Sequence, residues 1–513
     1  MTVYGIDLGT TYSLIGYYDG DKYTLIPDSE GKKLIKSQIS IEENEIIVGN
    51  KCKYNIIKNT KSFVGKKWEE SCFLENCNLV ECEITDSVLI NKQGYSFKAT
   101  DISRMIISHL VSNSKELGYN VEKIVITVPS YYTSFQRNLI KNECELLSLT
   151  VCNIINEPTS AALYLGQDYE NLSNLLVLDI GGSTTDITIL DVDDSDFMIK
   201  SSKGNLNLGG INIDKNIKDY YNLDTEIEAE TLKLSGKISD SDWDILTQDF
   251  YKKILLLVSD SLSSINMYKE SLSNVMVIGG SSRLYKLKDS LKTLFPERII
   301  NISEFPDKCV VLGACYKGYL IEQNDCNLPC LFDILPLSIG IQLNDNMFSP
   351  ILKQNDRKPI SKKKEYSLHR DYQDRIILKV FEGERILCKD NFYLGEYCIE
   401  IPPRYQKMDV TIQVTFNIDL SGILTLGCLI EGYDGYRKEE VIECNIDTTK
   451  SIHKKTASVI NPEDIEKDDL IREYLELKKS IEEDLIPEIE LDNITQEDIN
   501  VLKELINFNS PLK

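Results

Sequence analysis

Positive charge, histidine and long apolar stretches are all scarce in this chain. Against 57 lysines and arginines stand 81 aspartates and glutamates, a formal charge of −24 over 513 residues. Such an acidic balance argues against nucleic acid as the main partner, because a phosphate backbone is met with a basic face. The one cationic run, Lys362-Lys363-Lys364, reads as a solvated turn. Histidine occurs three times, at His109, His369 and His453. The 14 cysteines are not spaced for zinc: Cys72, Cys77 and Cys82 leave four residues in each gap, and Cys326 and Cys330 leave three with no histidine near. They are expected to be free thiols of a cytoplasmic protein. No uninterrupted apolar segment reaches the length of a membrane span. A first strand predicted from Val3, with a functional turn by Asp7, leaves no room for a cleavable leader.

What is present is one phrase written twice. Val3-Tyr4-Gly5-Ile6-Asp7-Leu8-Gly9-Thr10-Thr11 and Leu176-Val177-Leu178-Asp179-Ile180-Gly181-Gly182-Ser183-Thr184 are each an apolar run, then Asp-x-Gly, then hydroxyls. A second β-rich run follows each, Tyr12–Tyr18 and Thr185–Leu190, so the pattern is strand, tight turn and returning strand. A turn of this kind binds phosphate through its N–H groups while its aspartate faces a metal ion. One such Asp is weak; a duplicated pair points to two turns that clamp a nucleotide. Asp7 and Asp179 would hold Mg2+ through its waters, which this ion surrenders reluctantly. Gly9, Gly181 and Gly182 admit phosphate oxygens to the backbone, and Thr10, Thr11, Ser183 and Thr184 add hydroxyl donors.

The length suggests roughly two to four domains. Over 1–325 strands alternate with helices: Lys123–Val128 and Val151–Ile155 are strands, Ser134–Leu147 is a helix, and Pro158 opens another where its missing N–H costs nothing. Residues 326–335, with Leu328-Pro329-Cys330-Leu331-Phe332-Asp333, form an apolar linker, either an edge strand or a segment that docks in one state and is released in another. Residues 336–446 alternate as a β-sandwich, with strands at Arg375–Phe381, Thr411–Phe416 and Ile423–Leu426. Residues 447–513 are a helical tail: Asn461 caps a helix with a stripe at Ile471, Leu475, Ile481 and Leu485 before Pro487, and Thr495 with Asp498 caps a second.

The residues around the two turns resemble the nucleotide pocket of the heat-shock protein 70 chaperone family typified by DnaK. The resemblance continues in order through Val128-Pro129-Ser130-Tyr131 with Arg137, Asn156-Glu157-Pro158-Thr159, Leu208-Gly209-Gly210, Val277-Ile278-Gly279-Gly280-Ser281-Ser282-Arg283, Phe305-Pro306-Asp307 and Pro336-Leu337-Ser338-Ile339-Gly340-Ile341, ending near residue 445. It implies an actin-like ATPase domain, a duplicated ribonuclease-H-like α/β fold, followed by a β-sandwich peptide-binding domain and a short helical tail. By position it implies Lys61 as the catalytic lysine that orients the attacking water, and Asp186 and Thr184 beside that water. Glu157 would couple the metal shell to the lobes, and Tyr12 would lie among the nucleotide contacts. Gly209, Gly210, Gly279, Gly280, Ser281 and Asp307 would sit on the adenosine side, with Arg283 lying flat over the adenine. Pro129, Arg137 and Asp333 would transmit between domains, and Ile341, Tyr366, Ile376 and Leu378 would line a cleft for one extended peptide. On pattern alone those four are ordinary sandwich core.

The implied function is an ATP-dependent chaperone for exposed apolar peptides, with ATP and Mg2+ as cofactors. Three departures bear on partners. The stretch Asp214–Val275 is shorter than in the family, which puts a nucleotide-exchange factor in question; Glu228 or Glu230, with Lys233 and Ser235, would be what remains of the adenosine helix. Asn153 stands where the family often has a cation facing a J-domain partner. Pro329 and Cys330 interrupt the aliphatic linker, and the tail is short, as in the divergent branch exemplified by HscC. Two other readings are a non-cycling, chaperone-like assembly protein such as those in viral particles, and a sugar kinase on the same core, against which the β-sandwich argues.

Overall fold

The run Val3–Leu8 (β1) is buried at every position, which a strand can be only when helices cover both faces of its sheet. In the computed structural model, residues 2–65, 83–84, 90–168, 172–193, 196–205, 207–296, 298–323, 330–343, 346–443, 462–478, 491 and 494–509 are described. Strand β1 runs antiparallel to Tyr12–Tyr18 (β2) and parallel to Lys123–Val128 (β4), with Tyr23–Leu25 (β3) and Thr150–Asn156 (β5) completing the order β5-β4-β1-β2-β3. The second sheet repeats it. Leu172–Ile180 (β6) runs antiparallel to Thr185–Asp193 (β7) and parallel to Asn274–Ile278 (β9). Asp196–Asn205 (β8) and Ile299–Ile302 (β10) take the outer places.

Two helices lock the halves. Glu157–Leu165 (α2) packs on β6 and β7, Cys309–Gln323 (α5) packs on β1 and β2, and the two helices pack on each other. Ser160 donates its hydroxyl to the Val310 carbonyl at 2.7 Å. The region Asp214–Val275 holds three helices: Gly210–Tyr221 (α3), Glu226–Leu234 (α4) and one at Asp240–Ser263 that buries Trp243.

The linker is a strand in its own right. Leu331–Phe332 (β11) adds in parallel to the β8 edge, opposite Phe197 and Met198, as a sixth strand of the second sheet. Hydrogen bonding begins at Cys330, whose carbonyl accepts from the Phe197 N–H at 2.8 Å and whose N–H donates to Asp196 at 2.7 Å. Leu328 and Pro329 lie outside the described residues, as do Cys72, Cys77, Cys82, Cys326, His453, Asn461, Ile481, Leu485 and Pro487.

Two antiparallel sheets follow. One joins Phe348–Leu352 (β13), Ile339–Gln342 (β12), Arg375–Glu382 (β15) and Phe392–Glu400 (β16). The other joins Ile360–Ser367 (β14), Val410–Ile418 (β17), Leu424–Gly432 (β18) and Arg437–Glu443 (β19). Alternate residues of β17 and β18 point inward, from Val410 to Ile430, as a half-buried sheet requires. Lys362-Lys363-Lys364 is not a turn, as the sequence suggested, but lies within edge strand β14, where lysines discourage pairing with another chain.

The tail helices Pro462–Lys478 (α6) and Gln496–Asn509 (α7) pack Ile471, Tyr474, Ile494, Ile499 and Leu502 around Leu387. Asp468 meets Arg385 in a buried ion pair at 2.7 Å, and Thr495 caps α7 through Asp498 at 2.8 Å. Tyr474, buried beside Ile471, was missed because its ring breaks the aliphatic stripe. Among the described residues no helix is long and apolar enough to cross a membrane.

Phe416 is fully buried between the two sandwich sheets. Phe416→Ala should cost roughly 3–5 kcal/mol in the sandwich, read as an earlier circular-dichroism transition in urea. The Trp243 fluorescence transition of the α/β part should not move with it.

Candidate nucleotide site

The two Asp-Gly hairpins face each other. A side-chain carbon on Gly182 would strike the Thr11 hydroxyl, so the first turn rests directly on the second. Asp7 pairs with Leu14 across its hairpin and Asp179 with Asp186 across the other, so both aspartates leave their strands at the cleft end. The second turn is held from three sides. Gly181 N–H donates to the Thr184 carbonyl at 2.8 Å, Gly210 N–H to the Gly181 carbonyl at 3.1 Å, and the Ser281 hydroxyl to that same carbonyl at 2.8 Å. Gly279, at φ +82, lies so close to the Asp179 carboxylate and the Ile180 carbonyl that a side chain has no room. Gly181, Gly182, Ser183, Gly209, Gly210, Gly279, Gly280 and Ser281 therefore converge on one surface. The Ser183 hydroxyl is buried with no hydrogen-bond partner among the described residues.

Beneath the turns, acids crowd around one ammonium. Lys61 pairs with Glu157 in a buried ion pair, and the Tyr132 hydroxyl fixes the Lys61 carbonyl at 2.9 Å. Burial and the nearby Glu157 push the Asp7 carboxyl up to about 7, although Lys61 and a 3.0 Å hydrogen bond from Thr127 pull it down. Burial and Glu157 likewise push Asp186 up to about 7, against hydrogen bonds from Ser130. Asp179 is raised well above the carboxylate range by burial and by Glu157, Asp186 and Asp7. A divalent cation in this space would return all three to their ionised forms. Among the described residues no three acidic, histidine or cysteine side chains converge as direct ligands. The donor set thus fits Mg2+ held by Asp7 and Asp179 through water and phosphate oxygens.

Beside Gly280, Arg283 grips Asp307 through two hydrogen bonds of 2.8 and 2.7 Å, with its side chain half exposed. The register of α4 is now fixed. Glu228 serves the helix cap at Thr225. Glu230 lies near Tyr12 and Asp214, and Lys233 reaches Asp214 at 2.7 Å and the Gly210 carbonyl at 3.3 Å. Ser235 turns back to the Leu232 carbonyl at 2.7 Å, away from this group. Lys58 meets Glu226 at 3.4 Å, joining the first half to the second across the cleft.

The residues expected to transmit between domains also meet. Arg137 is buried, donating to the Tyr132 carbonyl at 3.1 Å and to Asn156, and Asn156 donates to Asp333 at 3.1 Å. Pro129 is buried and its carbonyl accepts from Tyr132 N–H at 3.1 Å. The β-domain touches here too: Glu382 accepts from Ser134 N–H at 3.1 Å, Ser134 accepts from Leu424 N–H at 3.0 Å, and Ser421 accepts from Ile154 N–H at 3.2 Å. Burial pushes Glu382 up to about 8. Thr127, Ser130 and Glu382 were given no role from sequence; each acts through a contact more than 55 residues away along the chain, which no local pattern encodes. Lys358, also given none, meets Asp333. Asn153 is buried at this junction. Ile341, Ile376 and Leu378 are buried and Tyr366 half-buried in one apolar cluster between β12, β14 and β15.

Comparison with known proteins agrees with this arrangement. The family model described as Hsp70 protein matches residues 3–232 and 221–502. The chain belongs to the Hsp70 family. Its Hsp70 relatives include the heat shock cognate HSP70 protein of Trypanosoma brucei brucei, 28% identical over 487 residues, covering 82% of this chain and 72% of that protein. The chaperone protein DnaK of Deinococcus proteolyticus is 29% identical over 479 residues, covering 82% and 76%. The DnaK of Deinococcus radiodurans is 29% identical over 477 residues, with the same coverage.

Gly182→Val would drive a side chain into Thr11 and part the hairpins. Titration calorimetry with Mg-ATP should show affinity at least ~10-fold weaker, about 1.4 kcal/mol.

Proposed function

We propose that the chain is an ATP-driven chaperone that takes up extended apolar peptide segments and changes its grip on them as ATP is hydrolysed. The observation that carries this is the docked linker: Asp333 is bonded to Asn156, the neighbour of Glu157, whose carboxylate holds Lys61. One strand end thus serves the nucleotide cleft with one side chain and the β-domain with the next.

In hydrolysis a water oxygen bonds to the γ-phosphorus as the bond to the β,γ-bridging oxygen breaks, and ADP leaves with that oxygen. Lys61 orients the water and offsets charge on the γ-phosphate once it turns from Glu157 towards the cleft. Thr184 and Asp186 flank the water, and Asp186, already raised by burial, is suited to take its proton. The backbone of the two turns and the lone Ser183 hydroxyl receive phosphate oxygens. Mg2+, when bound, supplies charge neutralisation between the phosphates.

The peptide is read by backbone pairing and apolar pockets built from Ile341, Tyr366, Ile376 and Leu378. These side chains are covered in the docked arrangement, so the cleft accepts a peptide by repacking of the sandwich. A J-domain partner would reach the Asn153 region after the β-domain leaves it, because that residue is buried beneath the contact. The free thiols among the described cysteines suit a cytoplasmic setting. Relatives named as chaperones favour a cycling chaperone over a non-cycling assembly protein.

The test is ATP turnover with and without a short apolar peptide: stimulation is expected, and turnover indifferent to peptide would sink the proposal. Lys61→Ala should keep ATP affinity within about threefold and lower single-turnover hydrolysis at least ~100-fold. Leu378→Ala should weaken a labelled apolar peptide at least ~10-fold by fluorescence anisotropy, with circular dichroism unchanged.

A further inference from the structure

The linker aspartate has a second partner that no part of the nucleotide machinery provides. Lys358, between β13 and β14 of the sandwich, is buried, its side chain 1% exposed. Its ammonium lies 2.9 Å from the Asp333 carboxylate, and its backbone N–H donates to the Asp333 carbonyl at 2.7 Å. The linker is thus fastened to the β-domain by the main chain and side chain of one residue. Beside the pair is a cavity of about 10 Å³ lined by Asn153, Lys317, Leu331, Asp333 and Leu420, room for about one water.

Three cations, Arg137, Lys317 and Lys358, and three acids share this junction. Gly422, at φ +80 on the turn between β17 and β18, sits so that an added side-chain carbon would lie 3.2 Å from Arg137 and 3.5 Å from Lys358. Asp333, Glu382 and Asp419 all act on the Arg137 guanidinium, and Asp333 and Asp419 on Lys358. Arg137 and Asn156 belong to the α/β part; Lys358, Glu382 and Asp419 belong to the sandwich. Buried charges of this kind are favourable only as a complete set, because removing one partner strands another away from water. A complete set or a fully hydrated one are the two stable conditions, and that makes the contact a switch.

We propose that Lys358 is the positioning residue that couples the linker to the peptide-binding sandwich, holding Asp333 so that docking of the linker and the state of the cleft change together. This rests on the chaperone reading above.

The experiment uses the full chain and a labelled apolar peptide, with affinity measured in Mg-ATP and in Mg-ADP. The wild type should show a ratio between about 5- and 150-fold. Lys358→Met should bring it close to one, with ATP affinity retained, and Lys358→Arg should restore most of it. A stranded Asp333 could unfold the methionine variant, so the double variant Lys358→Met with Asp333→Asn, which removes both members of the pair while Glu382 and Asp419 still face Arg137, is measured as well and should also lack coupling. A wild-type ratio persisting in both variants would overturn the role of Lys358 alone. A wild type whose peptide affinity ignores nucleotide would overturn the chaperone reading and this role with it.

Discussion

Four carboxylates and one ammonium share a buried space between the two halves of the α/β part, and much of the molecule is arranged to tolerate that. Asp7, Glu157, Asp179 and Asp186 repel one another where water cannot screen them, and Lys61, with hydrogen bonds from Thr127 and Ser130, offsets them. No single strand could hold such a group. It is held because two sheets of the same order bring equivalent aspartates to equivalent places, and because α2 and α5 pin the sheets together through a close helix contact. That crowding raises the carboxyls of Asp7, Asp179 and Asp186, so added positive charge among them would be favoured.

The same economy appears at the domain junction. Asn156 and Glu157 are neighbours in sequence and face opposite ways: Glu157 inward to Lys61, Asn156 outward to Arg137 and Asp333. The peptide bond between them links two charged clusters, one around Lys61 and one around Asp333. Strand β11 adds only two residues to the β8 edge, so little sheet pairing has to be broken for the linker to leave. The weight of the contact falls on the charged cluster, whose stability depends on completeness rather than on area.

Much of the fold was legible in the chain. The repeated hairpin phrase carried its own strands, and Lys123–Val128 and the Ser134 helix start were fixed by β-branched residues and a capping threonine. The two facing Asp-Gly hairpins were legible because glycine and aspartate recur at the same spacing in both halves. What escaped was nonlocal. Lys358 looks like any surface lysine next to a proline, and the lysine run in β14 looks like a turn, because neither sequence window contains the sheet that surrounds it. The α4 register stayed open until Lys233 and Asp214 were seen to meet, since three acids within five positions give no means of choosing among them.

The clasp between Arg385 and Asp468 joins positions 83 residues apart. It encloses β16, β17, β18 and β19 in a loop tied at both ends. Edge strand β19 therefore lies inside a closed loop: it cannot swing far from β18 without prying loose a guanidinium, and the tail works as a hem stitched under the sandwich.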